Sequence, residues 1–347
     1  MGLATPLSYL CSGVVLNIIS QLITDTSFSA PEAHIIPAVK FTATLVGAAL
    51  RRPRGVRPAA TPSQRRLMAA IGLLDASAYT LYCLGFFACG ATLANLLLSG
   101  VGQVLTAALT RWVLRRRLTG GQLAGIAFVG LGLAVRAAPA FLLGAAAPND
   151  GGAAAGAALS REQLVGAALV GLAALLYSIL GVAYEKLLKG EPAPPPNAEI
   201  MWHVSILGFL ASAAYQALYT LPNWDRLVAQ RMAASGTSPR YLVALLALFG
   251  ALFNLHMLVQ AAVFKTEGAI GVGLVNAVRG AVITVTVAAL FCSPARPHLC
   301  LTPQTILSAA ITTVGGAVYV LAGSGQQPPQ PAKAAAHGAA AEDKKDK

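Results

Sequence analysis

The chain has 347 residues, of which 56% are hydrophobic and only 11% are charged, and its mean hydropathy is +0.65. This composition is too apolar and too poor in charge for a water-soluble globular protein. The net charge of +12 comes from short Arg and Lys clusters between apolar stretches rather than from one basic domain, which argues against a nucleic-acid partner.

Ten apolar segments have the length of about 20 residues that a helix needs to cross a hydrocarbon core of roughly 30 Å. The sequence therefore predicts an all-α polytopic membrane protein with ten transmembrane helices, surrounded by the lipid bilayer. The first segment lacks the basic leader and cleavage site of a signal peptide, so we expect it to be retained. The predicted spans are 6–24, 33–50, 67–88, 91–114, 121–144, 163–187, 200–221, 241–264, 268–292 and 304–323.

The distribution of Lys and Arg predicts the direction of insertion, because these residues are enriched on the cytosolic side of membrane proteins. With both termini in the cytosol, most cations fall on the cytosolic side, including the clusters at 51–66 and 111–117. We therefore expect a multi-pass protein with both ends cytosolic.

A Gly- and Ala-rich stretch, 148–160, divides the predicted spans five and five. It is interpreted as a linker loop between a first five-helix repeat, 1–147, and a second, 161–325. Because five is odd, the second repeat must enter the membrane with inverted topology. The polar, Pro- and Lys-containing tail, 326–347, is expected to be disordered and cytosolic.

A short internal repeat supports this division. Leu-Thr followed by Gln opens the predicted helices 5 and 10, and a Gly lies thirteen residues after each Thr, at Gly132 and Gly315. Inverted halves permit alternating access to a site near the middle of the membrane.

Polar residues at helical spacing inside apolar spans indicate faces that point away from lipid. In the fourth span Asn95, Ser99, Gln103, Thr106 and Thr110 form such a stripe. It either lines a cavity or makes hydrogen bonds between helices. Further candidates for cavity lining are Asn17 in the first span and Tyr79 in the third.

Charged residues inside the predicted spans are the sharpest functional candidates, because a lone charge at the bilayer centre costs at least roughly 2.5 kcal/mol. Asp75 is a candidate proton or counter-charge site, and its alternative is a structural pair with Lys40 or a hydroxyl. Lys40 and Arg279 each need an acid, carbonyls, water or an anionic ligand. For an anionic substrate, Arg279 is the first candidate because its guanidinium can hold an anion through two donors, and Lys40, which acts as a point charge, is the second.

The predicted helices 8 and 9 carry further polar candidates. Asn276 precedes Arg279 by one turn and shares its face, so the two could bind one ligand. Asn254 is a further candidate for substrate binding in helix 8. His256 in the same helix is either a hydrogen-bonded structural histidine or a proton relay.

Several kinds of chemistry have no motif here. The sequence contains no Gly-rich loop ending in Gly-Lys-Ser/Thr, no Gly-x-Ser-x-Gly and no His-Glu-x-x-His. We therefore expect no ATP-driven pump, no enzyme, no cofactor and no metal site. Cys292 and Cys300 flank the last non-cytosolic loop, where they could form a disulfide or stay free.

The sequence ends in Lys344-Lys345-Asp346-Lys347. Lys344 and Lys345 are similar to the dilysine signal that coat proteins bind to return membrane proteins from the Golgi to the endoplasmic reticulum. This similarity predicts an endomembrane location, with chance occurrence in a Lys-rich tail as the alternative.

The sequence from Asp75 to Arg136, with the string ATLANLLLSGVGQVLTAALTRWVLRRRLTGGQLAGIAFVGLGL, resembles the fourth and fifth helices of the drug/metabolite transporter superfamily. Within it the likeness is to the EamA-like, solute carrier 35-like proteins on the nucleotide-sugar and triose-phosphate side. YEKLL, LFN and VNAVRGAVI resemble further positions of that family. Arg279 is followed by Gly280 rather than by a second cation, which departs from the triose-phosphate pattern.

This resemblance implies a secondary transporter that moves a small organic solute, such as a nucleotide-sugar or related organic anion, by alternating access. The alternatives are a proton-coupled exporter of neutral or cationic metabolites and a membrane scaffold that transports nothing. The sequence leaves the substrate, the coupling ion and the oligomeric state open.

Overall fold

The computed structural model describes residues 4–51, 60–113, 119–143, 160–189, 195–294, 296 and 299–324. These residues are almost entirely α-helical and contain no β-strand, so the predicted all-α fold class is confirmed. Apart from Ser160, the predicted linker and the predicted tail with Lys344 and Lys345 lie outside the described residues.

Short turns separate some of the described helices. A 3-10 turn, Pro31–Ala33, precedes α2, and two π-helical turns, Gln216–Thr220 and Asp225–Ala229, lie between α6 and α7. The helices are α1 (Ala4–Thr26), α2 (Ile35–Arg51), α3 (Pro62–Val113), α4 (Gly120–Leu143), α5 (Arg161–Lys189), α6 (Asn197–Tyr215), α7 (Gln230–Ser235), α8 (Pro239–Phe291) and α9 (Pro303–Ser324).

Within the described residues, seven helical segments are long and apolar enough to cross a membrane. They coincide with the predicted spans one to four and six to eight. The predicted fifth and ninth spans contain the shorter apolar helices Gly120–Gly132 and Val278–Phe291, and the predicted tenth span coincides with α9. The seven segments are Ala4–Thr26, Pro31–Arg51, Pro62–Ala91, Leu93–Val113, Arg161–Leu188, Asn197–Thr220 and Pro239–Thr266.

Three helices begin with the same reciprocal cap. At the start of α4 the backbone N–H of Gln122 donates to Thr119 Oγ1 (3.1 Å), and the N–H of Thr119 donates to Gln122 Oε1 (2.9 Å). The same bonds start α3 at 61–64 and α5 at 160–163. Each cap satisfies two backbone donors that the first helical turn leaves without a partner.

Helix α3 reverses direction at Gly90, whose backbone (φ 78°, ψ 163°) is not helical. The side chains of Tyr82 and Asn95 both donate to Asn17 Oδ1, at 3.4 and 2.7 Å. On a straight helix, residues thirteen positions apart would be separated by about 20 Å. The two limbs of α3 therefore lie side by side, and both pack against α5.

Helix α8 also folds back on itself. Arg279 Nη1 lies 3.3 Å from His256 Nε2, although the two residues are 23 positions apart. Along a straight helix that separation would be about 34 Å. The chain therefore turns between His256 and Arg279, and the second limb of α8 returns beside the first.

The directions of the helices define two faces of the molecule. Tyr9 donates a hydrogen bond to Asn276, and the other end of α1 reaches the segment after α8 through Asp25 and Arg296. Helix α1 and the second limb of α8 therefore run in the same direction. We call the face where α1 begins the N-terminal face, and the face that carries Asp25 and Arg296 the opposite face.

Replacing Gly90 by Ala is expected to destabilise the fold by about 1–3 kcal/mol, because the backbone region that Gly90 occupies is almost closed to residues with a Cβ atom. The measurement is thermal or denaturant unfolding of the purified protein in detergent. The matched control is Gly171→Ala in the interior of α5, where an added Cβ atom meets nothing within 4 Å. Equal stability of the two variants would show that the reversal does not require glycine at this position.

Candidate functional site

A cavity of about 250 Å³ lies among α1, α3, α5 and both limbs of α8. Its lining extends from mid-helix toward the N-terminal face, where it includes Thr110, Tyr184, Phe264 and Tyr319. Its volume is near the lower end of the range for small-molecule pockets. The site is therefore large enough to hold a small organic molecule.

The guanidinium of Arg279 lines this cavity without an acidic partner. Among the described residues, no carboxylate lies within ion-pair distance of Arg279. Its Nη1 lies 3.3 Å from His256 Nε2, and its Cζ atom lies 5.5 Å from the centre of the Tyr9 ring. Arg279 therefore has donors left for a ligand.

A hydrogen-bond network holds the groups around Arg279. The hydroxyl of Tyr9 donates to Asn276 Oδ1 (3.1 Å) and accepts from Gln260 Nε2 (2.9 Å). Ser12 Oγ lies 2.8 Å from His256 Nδ1. Because an arginine can only donate, His256 Nε2 is assigned as the acceptor and its Nδ1–H as a donor to Ser12. His256 is then neutral and acts as a support for Arg279.

A second network joins α1 to both limbs of α3. Asn95 Nδ2 donates to Asn17 Oδ1 (2.7 Å) and to the carbonyl of Ala91 (2.8 Å), and Tyr82 also donates to Asn17. Asn17 donates to the carbonyl of Gly13 (2.9 Å). Asn17 and Asn95 therefore connect the helices that form the cavity wall, and both also line the cavity.

Lys40 and Asp75 form a buried ion pair at the wall of the cavity. Lys40 Nζ lies 2.8 and 2.9 Å from the two carboxylate oxygens, and the residues are 1% and 6% exposed. The ammonium also lies 4.0 Å from the Tyr79 ring centre and 5.1 Å from that of Phe253. Since these two charges cancel, Arg279 supplies the remaining formal charge among the lining residues.

The structure brings most of the predicted substrate-binding residues to one cavity. Asn254 is the exception: its side chain accepts from Arg51 Nη2 (2.6 Å) and donates to the carbonyl of Ala43 (2.9 Å). It therefore joins α8 to α2, because it lies on the face of α8 that packs against that helix. The predicted residues that line the cavity are Arg279, Lys40, Asn276, Gln103, Asn95, Tyr79, Asn17 and Asp75.

Sequence reasoning missed Tyr9 and Ser12. Both lie in the first turns of α1 and contact residues of α8 more than 240 positions away. Their spacing of three residues placed them on one helical face. No local pattern could identify the partners, which only the tertiary structure brings together.

The opposite face carries an ion pair and a disulfide. Arg296 forms an ion pair with Asp25, whose carboxylate also accepts from Gln21 Nε2 (2.9 Å). A disulfide between Cys292 and Cys300 closes the loop that carries Arg296. We call the ion pair of Asp25 and Arg296 the clamp. Near it, the buried side chains of Ile23 and Leu242, among others, form an apolar cluster.

One solved crystal structure, described only as "Crystal structure of protein", aligns with 94% of this chain and 100% of its own at a TM-score of 0.58 and 16% identity. At this identity the likeness concerns the fold alone. No protein-family model and no curated protein matches the sequence. The described residues contain no group of three or more His, Cys, Asp or Glu residues that could hold a metal ion.

Removing one member of the Lys40 and Asp75 pair, as in Lys40→Met or Asp75→Leu, is expected to cost about 3–5 kcal/mol of stability, because the remaining buried charge loses its partner. The double variant is expected to be more stable than either single variant. The measurement is unfolding in detergent as a double-mutant cycle.

The comparison is Arg296→Gln at the partly exposed ion pair, where we expect a loss of about 1 kcal/mol or less. If the two single variants at the buried pair were as stable as Arg296→Gln, the pair would not hold α2 and α3 together.

Proposed function

We propose that this protein is a secondary transporter for small organic anions that works by alternating access. The observation that carries the proposal is Arg279, a cation without an acidic partner among the described residues, in a cavity whose other formal charges cancel. A charge in a membrane interior is costly unless a partner or ligand compensates it. An anion in the cavity would supply that compensation.

We further propose ten membrane crossings, which arise when each limb of α3 and of α8 is counted as one crossing and the six-residue helix α7 is not counted. In this arrangement α1 to α4 form the first five-helix repeat and α5 to α9 the second, as the resemblance to the drug/metabolite transporter superfamily implies. The helix contacts support it because the main helix pairings of one half correspond to those of the other half. Helix α1 packs against α8 as α5 packs against α3, and α2 packs against α8 as α6 packs against α3.

The interface between α4 and α9 supports the same proposal in detail. An added Cβ atom at Gly132 would meet Ser308 and Thr312, and one at Gly315 would meet Gly125 and Val129. Thr119 precedes α4 and Thr302 precedes α9, and each glycine is the thirteenth residue after the Thr of its own helix. In both cases the residues it meets on the other helix are the sixth and the tenth after the Thr of that helix. Reciprocal contacts of this kind are what a two-fold axis produces.

The cavity position supports alternating access. Its lining extends toward the N-terminal face, whereas the pair of Asp25 and Arg296 lies on the opposite face. Opening toward the opposite face would require α1 to separate from the loop that carries Arg296. The proposed cytosolic location of the N-terminal face makes this conformation inward-facing.

Two other functions make different demands on the same residues. A proton-coupled exporter would need Asp75 to exchange protons, but both carboxylate oxygens accept from Lys40 in this conformation. A membrane scaffold would have no use for Arg279. The three functions can therefore be distinguished by which solute is transported and by which variant abolishes its transport.

Replacing Arg279 by Gln is expected to lower counterflow of organic anions at least tenfold, because a lost charge-assisted contact is worth about 1.5–3 kcal/mol. The measurement is counterflow in proteoliposomes with labelled nucleotide-sugars, sugar phosphates, dicarboxylates and neutral metabolites. The matched control is Arg66→Gln, which removes an exposed arginine of α3 outside the cavity.

Transport of neutral or cationic solutes alone, with Asp75→Asn inactive, would favour the exporter. If the panel does not move at all, the scaffold interpretation gains and the proposed transport function fails.

Asp25→Asn is expected to shift the population away from the conformation in which the cavity extends to the N-terminal face. The ion pair is partly exposed and worth up to about 1 kcal/mol, so the shift is at most about fivefold. The measurement is the labelling rate of Thr106→Cys by an impermeant maleimide added at the N-terminal face. Cys11, Cys83 and Cys89 are first replaced by Ala.

The control for this experiment is Asp225→Asn, an exposed carboxylate in the segment between α6 and α8 that has no part in the clamp. Slower labelling in Asp25→Asn alone agrees with the clamp. Unchanged labelling in both variants would show that the pair does not stabilise this conformation.

A further inference from the structure

Gln103 is buried at the cavity wall, and its side-chain amide makes no hydrogen bond with the described residues. The residue is 7% exposed, and neither Nε2 nor Oε1 has a hydrogen-bond partner among the residues that the structure describes. A buried polar group without a partner costs about as much as a lost hydrogen bond, so such groups are rare and call for an explanation. A primary amide leaves two donors and two acceptor positions unsatisfied at once.

The other buried polar atoms without partners in the described chain differ from Gln103. Gln21 lacks a partner only at Oε1, because its Nε2 donates to Asp25. Thr312 lacks one at Oγ1, where it lies in the close contact of α9 with Gly132. Neither residue lines the cavity. Gln103 is thus the member of this group whose unpaired amide is placed to meet a ligand.

The geometry places Gln103 next to the second limb of α8, on the same side of the cavity as Arg279. A Cβ atom at Gly273 would lie 3.8 Å from Gln103 Nε2. Arg279 is six residues further along that limb, and its guanidinium faces the ring of Tyr9. The hydroxyl of Tyr9 donates to Asn276, three residues along the limb. At about 1.5 Å per residue, the backbone positions of Gly273 and Arg279 are separated by roughly 9 Å along the helix.

We propose that Gln103 and Arg279 form the two ends of one binding site, so that the substrate is an organic anion with a planar group that carries an adjacent hydrogen-bond donor and acceptor. A carboxamide or a lactam edge has this chemistry, and it can pair with the amide of Gln103 through two hydrogen bonds. This inference rests on the proposed transport of organic anions and adds the second recognition element. The described protein supplies no partner for the amide, and a bound substrate of this chemistry would supply one.

The selectivity of such a site follows from the unpaired amide. A ligand that lacks the donor leaves the buried amide carbonyl of Gln103 without a partner, and a binding site built for a hydrogen bond discriminates against such a ligand. The preference should therefore depend on Gln103, whereas attraction of the negative end should depend on Arg279.

The test compares two series of probes in the wild-type protein and in Gln103→Met, which keeps the side-chain length and removes the amide. The first series contains the monoamides of straight-chain dicarboxylic acids from succinic to suberic acid. The second contains the isosteric methyl-ketone acids. Each probe is measured as a competitor of counterflow and as a ligand that raises the unfolding temperature of the purified protein. Thr312→Val is the matched control, because it removes an unpaired buried polar atom outside the cavity.

In the wild-type protein the best monoamide should bind about tenfold more tightly than its ketone, and Gln103→Met should reduce this ratio to about one. Thr312→Val should keep the wild-type ratio. Empty Gln103→Met should unfold at the wild-type temperature or above it, because the unpaired amide is gone.

A ratio near one in the wild-type protein, or a ratio that Gln103→Met leaves unchanged, would overturn the two-ended site while organic anions are still transported. If no organic anion competes in the wild-type protein, the proposed transport function fails first, and the assignment of Gln103 fails with it.

Discussion

Polar groups in the hydrocarbon core of a membrane have no water to bind, and this constraint organises the interior of the protein. Backbone groups are satisfied by helix formation, while polar side chains must find partners inside the bundle. Tyr9, Asn17 and Asn95 meet this demand because their hydroxyl and amide groups form hydrogen bonds between helices. Lys40 and Asp75 meet it through a direct ion pair.

The same constraint separates structural from functional polar residues. A side chain whose partners are all supplied by the protein mainly holds helices together, as the pair of Lys40 and Asp75 does for α2 and α3. Arg279 and Gln103 are different, because the described protein leaves a charge or an amide without its full complement. The proposed function and the proposed two-ended site both follow from that difference.

Close helix contacts give this interior its shape. Reversals within α3 and α8 bring the two limbs of each helix to the cavity, and Gly90 permits the first of them. At the interface of α4 and α9, Gly125, Gly132 and Gly315 let backbones approach closely, as small residues do in membrane helices. The reciprocity of these contacts is the strongest structural support for the proposed inverted halves.

The sequence by itself determined the all-α class and the approximate limits of the membrane helices, because apolar length is a local property that lipid imposes. It also identified Lys40, Asp75, Gln103 and Arg279, since polar residues in apolar spans are conspicuous. Only the tertiary structure decided that Lys40 pairs with Asp75, that Asn254 faces α2, and that Arg279 and Gln103 keep unpaired groups. Side-chain partners come from helices distant in the chain, and no local pattern specifies which of them meet.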